Sequence, residues 1–187
     1  AYSCGERHFA ENKVQEMTAK AEALPKDIKW HMIGHLQSNK VKYIASYVYM
    51  IHSVDSLKLL EIINKEALKH NRKIKCLLQV HVAQEETKYG MSEEEFINSD
   101  MLDKLTNVEI CGIMGMASFT DDTEQVRKEF REIKKLFEQC KSTHYSDVEN
   151  FREISMGMSG DYPIAIEEGA TMIRIGGGIF GKRYYQI

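Results

Sequence analysis

The stretch SMGMSGDY, residues 155–162, is followed thirteen residues after Ser159 by MIRIGGGIFGK, residues 172–182. In a chain of 187 residues with only 12 glycines, two small-residue turns this close together mark two strand ends. EISMGM (153–158) runs into the turn at 159–160, and MIRIG (172–176) runs into the glycines at 177–178. Short β-prone runs bounded by small residues read as strands. The same punctuation recurs upstream at HFA (8–10), WHMIG (30–34), YMIHSV (49–54), KCLLQVHV (75–82) and VEICGIMGM (108–116), so seven strands are predicted.

Helical spacing fills the intervals: ENKVQEMTAKAEAL, SNKVKYIASY, DSLKLLEIINKEALKHN, SEEEFINSDMLDKL, DTEQVRKEFREIKKLFEQCK and GDYPIAIEEG. In the longest, Val126, Phe130, Ile133 and Phe137 share one stripe at i, i+4, i+7 spacing. Strict strand and helix alternation calls for parallel strands joined by right-handed crossovers, either an open doubly wound sheet or a closed barrel. A dinucleotide-binding sheet would carry GxGxxG after its first strand, where this chain has ENKVQE. Polar residues instead follow nearly every strand: Glu11 and Asn12, His35 and Gln37, Asp55 and Ser56, residues 85–88, Ser118, Ser159, and residues 176–178. In a barrel all of these gather on one C-terminal rim, where active sites form. The expected architecture is therefore α/β, a TIM-type (β/α)8 barrel forming a single domain over 1–187. Seven strands are visible, and AYSCGERHFA reads as the tail of a helix feeding a strand, so the first strand is expected to be missing. The last two strands then count as the seventh and eighth.

The composition, 43% hydrophobic and 28% charged with a formal charge of −3, suits a soluble globular chain. It offers no net field to recruit nucleic acid or an anionic membrane. No apolar run approaches the roughly 18 residues that span a bilayer. Cys4, Cys76, Cys111 and Cys140 form no CxxC pair, which points to a reducing, cytoplasmic setting.

Barrels frequently bind phosphate between the loops after strands seven and eight. Ser155 and Ser159 offer hydroxyls there, and Gly176 and Gly177 let backbone amides approach an anion closely. The paired placement favours a phosphate cradle; the alternative is that the glycines serve only tight barrel turns.

The segments FAENKVQE (9–16), WHMIGHLQSNKVK (30–42), IHSVDS (51–56), EETKYGM (85–91), GIMGM (112–116), SMGMSGDY (155–162), AIEEGATMIRIG (165–176) and IFGKR (179–183) together resemble the pyridoxal phosphate homeostasis proteins. Their barrel is of the alanine racemase N-terminal domain type. The resemblance implies pyridoxal 5'-phosphate (PLP) as cofactor. It implies a phosphate held by Ser155, Ser159 and the backbone around Gly176 and Gly177, although the family commonly has Ser or Thr where Gly177 stands. It places Arg174 beside the pyridine nitrogen and Asn12 near the ring. His35, Met114 and Met156, on the matching segments, complete the expected cofactor-binding set, with His35 as a rim residue that orients polar neighbours.

The same resemblance locates the lysine that forms a Schiff base with PLP on the first barrel strand, and no residue here matches it. Lys88 lies on the expected rim, but in a Glu-rich loop that raises an amine pKa rather than lowering it. Lys40 and Lys42 read as surface charge. His31 and His35 stand four apart, yet on a strand and without a third ligand, so no metal site is expected. The implied function is a non-catalytic PLP carrier, a cytoplasmic monomer that passes cofactor to PLP-dependent apo-enzymes. The alternative is a PLP-dependent racemase-like enzyme, which needs acid/base groups on both faces of its substrate; alanine racemases draw the second from a further C-terminal domain. A barrel for another phosphorylated metabolite is the third reading.

Overall fold

The computed structural model describes residues 1–82, 90–91 and 104–181. Lys88 and most of the predicted helix SEEEFINSDMLDKL lie outside the described residues. The strands are β1 (His8–Glu11), β2 (Lys29–Met32), β3 (Met50–Val54), β4 (Ile74–Gln79), β5 (Val108–Met114), β6 (Glu153–Met158) and β7 (Met172–Arg174). They form one parallel sheet in chain order from β1 to β7, and each coincides with a predicted run. Among the described residues β1 and β7 stand at the two ends of this strand order.

Among the described residues the α-helices are α1 (Val14–Ala23), α2 (Leu57–Lys69), α3 (Thr123–Thr143), α4 (Tyr162–Glu167) and α5 (Gly177–Phe180). Side chains close the first turns of the two longest. Ser56 Oγ accepts from the Leu59 amide, and Asp122 accepts from the amides of Glu124 and Gln125, which satisfies donors that a helix start leaves without partners. The predicted α3 stripe is buried, with Phe130 and Ile133 fully enclosed.

SNKVKYIASY differs from expectation. Ser38–Tyr43 winds as a 3-10 helix, with three-residue bonds from Lys40 N to Gln37 O, Ile44 N to Val41 O and Tyr47 N to Ile44 O. Val41, Ile44, Ala45 and Val48 are all buried, so the apolar period was legible while the tighter winding of this short bridge between β2 and β3 was not.

Because side chains alternate along each strand, the sheet separates two apolar layers. Trp30, Met32, Ile51, Cys76, Leu78, Ile113, Ile154 and Met156 belong to the large cluster shared with the helices. Met50, Leu77, Cys111 and Met114 form a smaller cluster with Tyr49, Met116 and Met172, filling the concave side as barrel interiors are filled. Two glycines shape the rim. A Cβ on Gly34 would stand 2.2 Å from the Asn12 carbonyl oxygen, so only glycine lets the loops after β1 and β2 touch. Gly157 has φ +90°, and a Cβ there would meet Ala165 Cβ at 2.5 Å, so the SMGMS bend packs α4 directly against β6.

Candidate functional site

The concave face carries a line of polar side chains inside an otherwise apolar layer. Arg174, ending β7, donates to Ser155 Oγ at 2.7 Å and to the Gly115 carbonyl at 3.1 Å. Ser155, on β6, is fully buried and bonds His52 Nδ1 at 2.9 Å. His52 Nε2 meets His31 Nδ1 at 2.8 Å, and His31 Nε2 meets His8 Nδ1 at 2.9 Å. Three imidazoles thus connect β1, β2 and β3 to the serine and arginine of β6 and β7.

Burial disfavours the charged forms of Arg174, His31 and His52. It presses the Arg174 guanidinium down to about 10 against the pull of Asp161, so Arg174 stays cationic at neutral pH. Burial brings His31 down to about 4, with His8 and Lys29 adding to the effect. His52 lies well below 6.5, first through burial and then through His31 and Arg174. Both inner rings are therefore neutral, each with one donor and one acceptor nitrogen.

The loop after β5 is anchored from α3. Buried Glu129 accepts from the Ser118 amide at 2.6 Å, from Ser118 Oγ at 2.8 Å and from Gln125 Nε2 at 3.1 Å. This fixes the segment whose Gly115 carbonyl receives Arg174. After β6, the Met158 amide donates to Asp161 Oδ1 at 2.5 Å, closing the turn that carries Ser159.

The expected cofactor-binding residues fall into separate groups. Ser155 and Arg174 are in direct contact, and Met114, the register partner of Ser155, lies in the same concave layer. Ser159, Gly176 and Gly177 are exposed at the ends of β6 and β7; a Cβ on Gly176 or Gly177 would meet nothing within 4 Å, so these backbones face open space. Asn12 and His35 line a cavity of about 210 Å³ with Lys13, Gln37 and Lys40, and His35 bonds Asp55 at 3.1 Å. Met156 instead belongs to the helix-facing layer. His31 and His35 diverge, one into the concave face and the other to the rim. Sequence reasoning missed His8, His52 and Glu129. The HSV of IHSVDS places His52 on the Met50 face by alternation, but linking it to Ser155 takes the register of the whole sheet.

The alanine racemase N-terminal domain family model matches residues 1–184. A pyridoxal phosphate homeostasis protein of Aquifex aeolicus (strain VF5) is 40% identical over 188 residues, covering 98% of this chain and 80% of that protein. PipY of Synechococcus elongatus PCC7942, solved without PLP, superposes with a TM-score of 0.89 at 35% identity, covering 97% of this chain and 85% of that one. PipY solved with PLP bound gives 0.85 at 34% identity, with coverage of 97% and 84%. Two neutral buried histidines, a buried serine and a cationic arginine on this barrel are thus the concave face of a chain that belongs to the alanine racemase N-terminal domain family, within its pyridoxal phosphate homeostasis branch.

Proposed function

We propose that this protein binds PLP and serves its homeostasis, holding and handing on the cofactor without turnover of its own. The observation that carries the reading is the half-buried contact of Arg174 with buried Ser155, close to the open glycine backbones of the β7 loop. A cationic donor at the concave face and free space at the rim suit an aromatic phosphate with a ring acceptor at one end and an anion at the other. PLP itself supplies an aldehyde that captures amines and a ring that draws electrons from them.

In this reading Arg174 and Ser155 hold the ring-nitrogen edge, while Ser159 and the amides at Gly176 and Gly177 hold the phosphate. Met114 flanks the ring from the concave layer, and Met156 acts only from behind the strand. Asn12 and His35 orient the rim on the far side. Arg174 is charged and already tied to Ser155 and Gly115, so it resists proton gain at a neighbouring ring nitrogen. That weakens the ring as an electron sink and favours storage over carbanion chemistry. Cytoplasmic residence, a monomeric state and delivery to PLP-dependent apo-enzymes complete the proposal.

The test is an absorbance titration with PLP, before and after borohydride, followed by intact mass and peptide mapping. Saturable perturbation of the PLP spectrum, weakened by R174A, is the expected result. An unperturbed spectrum at saturating protein would overturn the reading. A reduced adduct on an internal lysine would move the site to that residue.

A further inference from the structure

The chain from His8 to Ser155 has a property that its structural role does not require: every link can run in either direction. In one arrangement the Ser155 hydroxyl donates to His52 Nδ1, His52 Nε2–H to His31 Nδ1, and His31 Nε2–H to His8 Nδ1. In the other, His8 Nδ1–H donates to His31 Nε2, His31 Nδ1–H to His52 Nε2, and His52 Nδ1–H to Ser155 Oγ, leaving the serine proton free for an acceptor beside Arg174. The same three contacts of 2.9, 2.8 and 2.9 Å serve both, because a neutral imidazole offers one donor and one acceptor and a hydroxyl offers both.

We propose that His8, His31, His52 and Ser155 form a proton relay that connects the N-terminal end of the barrel to the site beside Arg174. The inference rests on the PLP reading only for the identity of the occupant. The path climbs the sheet in steps. Ala10 faces His31 in register and His31 faces Met50, two residues before His52. One end is an exposed His8 at the first position of β1 and the other is fully buried Ser155.

Passing from the first arrangement to the second, Ser155 receives one proton from a bound group or a water and gives its own to His52 Nδ1. His52 passes its Nε2 proton to His31 Nδ1, His31 passes its Nε2 proton to His8 Nδ1, and His8 releases its Nε2 proton to water. No ring becomes charged at the end, and the reverse passage carries one proton inward. The relay thus lets the concave face exchange a proton with solvent at the opposite end of the strands.

His8 sets the direction. Once protonated, it holds hydrogen on both nitrogens and donates from Nδ1, which imposes the second arrangement on His31 and His52. Partial burial and then Lys29, with Lys75 behind it, oppose that protonation, and Glu6 favours it; the Tyr49 ring packs against both His8 and His31. Lys29 and Lys75 lie over that same ring. Burial first, then His31 and Arg174 beyond Ser155, disfavour the charged form of His52.

The experiment is nitrogen NMR of the full chain with 15N-labelled histidine rings, across the titration of His8 and then with saturating PLP. The relay predicts that His31 and His52 stay neutral and that both change protonated nitrogen together as His8 titrates. H31Q keeps hydrogen-bonding groups but cannot exchange them, so it should abolish the response at His52 while leaving the circular dichroism unchanged. If H31Q fails to fold, H8Q carries the same test, since it removes the titrating end: the pH-linked change at His52 should vanish. His52 holding one tautomer while His8 titrates, or either inner ring carrying two protons in that range, would overturn the relay. Coupled tautomer changes without any perturbation of the PLP spectrum would leave the relay standing and refute the cofactor reading.

Discussion

Removing the carboxylate of Glu129 is a demanding test of how the rim is held. In E129A the Ser118 amide and hydroxyl lose their acceptor together, and Ser118 is 7% exposed, so water does not readily replace it. A hydrogen bond to a charged acceptor is worth about 1.5–3 kcal/mol, and a buried donor left alone costs about 1–3 kcal/mol. With two such donors, the expected loss is about 3–5 kcal/mol. For a chain of this size each kcal/mol lowers Tm by about 2–4 °C, so a fall on the order of 10 °C is expected. E129Q is the informative partner. Its amide oxygen accepts from the Ser118 amide at the 2.6 Å position, and its NH2 group donates to a rotated Ser118 hydroxyl and to the Gln125 amide oxygen once that amide turns over, so the loss should be only about 1 kcal/mol. Urea unfolding followed by circular dichroism measures both variants, with equal m-values confirming comparable transitions. An E129A protein within 1 kcal/mol of the parent, or an E129Q protein as damaged as E129A, would refute the anchoring role.

Three further perturbations have defined outcomes. Lowering pH destabilises the fold through His31 and His52. Their folded pKa values lie below the unfolded 6.5, so their contribution is intact above 6.5 and is lost as pH falls from 6.5 towards about 4 for His31. The slope is up to about 1.4 kcal/mol per pH unit for each ring, read from urea midpoints between pH 7 and 5, and H31Q should flatten it. Phe130 is fully buried in the helix-facing core, so F130A should cost about 3–5 kcal/mol in the same assay. Arg72 donates to the carbonyls of Ala45 and Val48 at 2.7 and 2.8 Å, joining the end of α2 to the bridge before β3. R72A should therefore cost about 2–3 kcal/mol, with loss of amide-exchange protection around 45–48.

The strands were legible because each is a short apolar run closed by polar or small residues, and seven such runs in alternation with helices admit few topologies. Glu129 was not, because its place on the buried stripe of α3 reads as an exception to apolar periodicity until Ser118 is seen beside it. The relay was hidden for a different reason. His8, His31 and His52 lie on three strands, and their meeting depends on register steps between neighbours and on irregularities such as those between Ile51 and Val54 and between Ser155 and Met158. Alternation along one strand gives a face; it does not give the height at which that face meets the next strand. The same limit applies to Met156, whose segment carries the family resemblance while its side chain belongs to the helix-facing layer.

The most direct test of the central claim is a crystal structure of this protein with PLP. The expected result is the ring-nitrogen edge against Arg174 and Ser155, with the phosphate at Ser159 and the amides of Gly176 and Gly177. PLP bound elsewhere, with the Arg174 guanidinium still engaged only by Ser155 and Gly115, would contradict it.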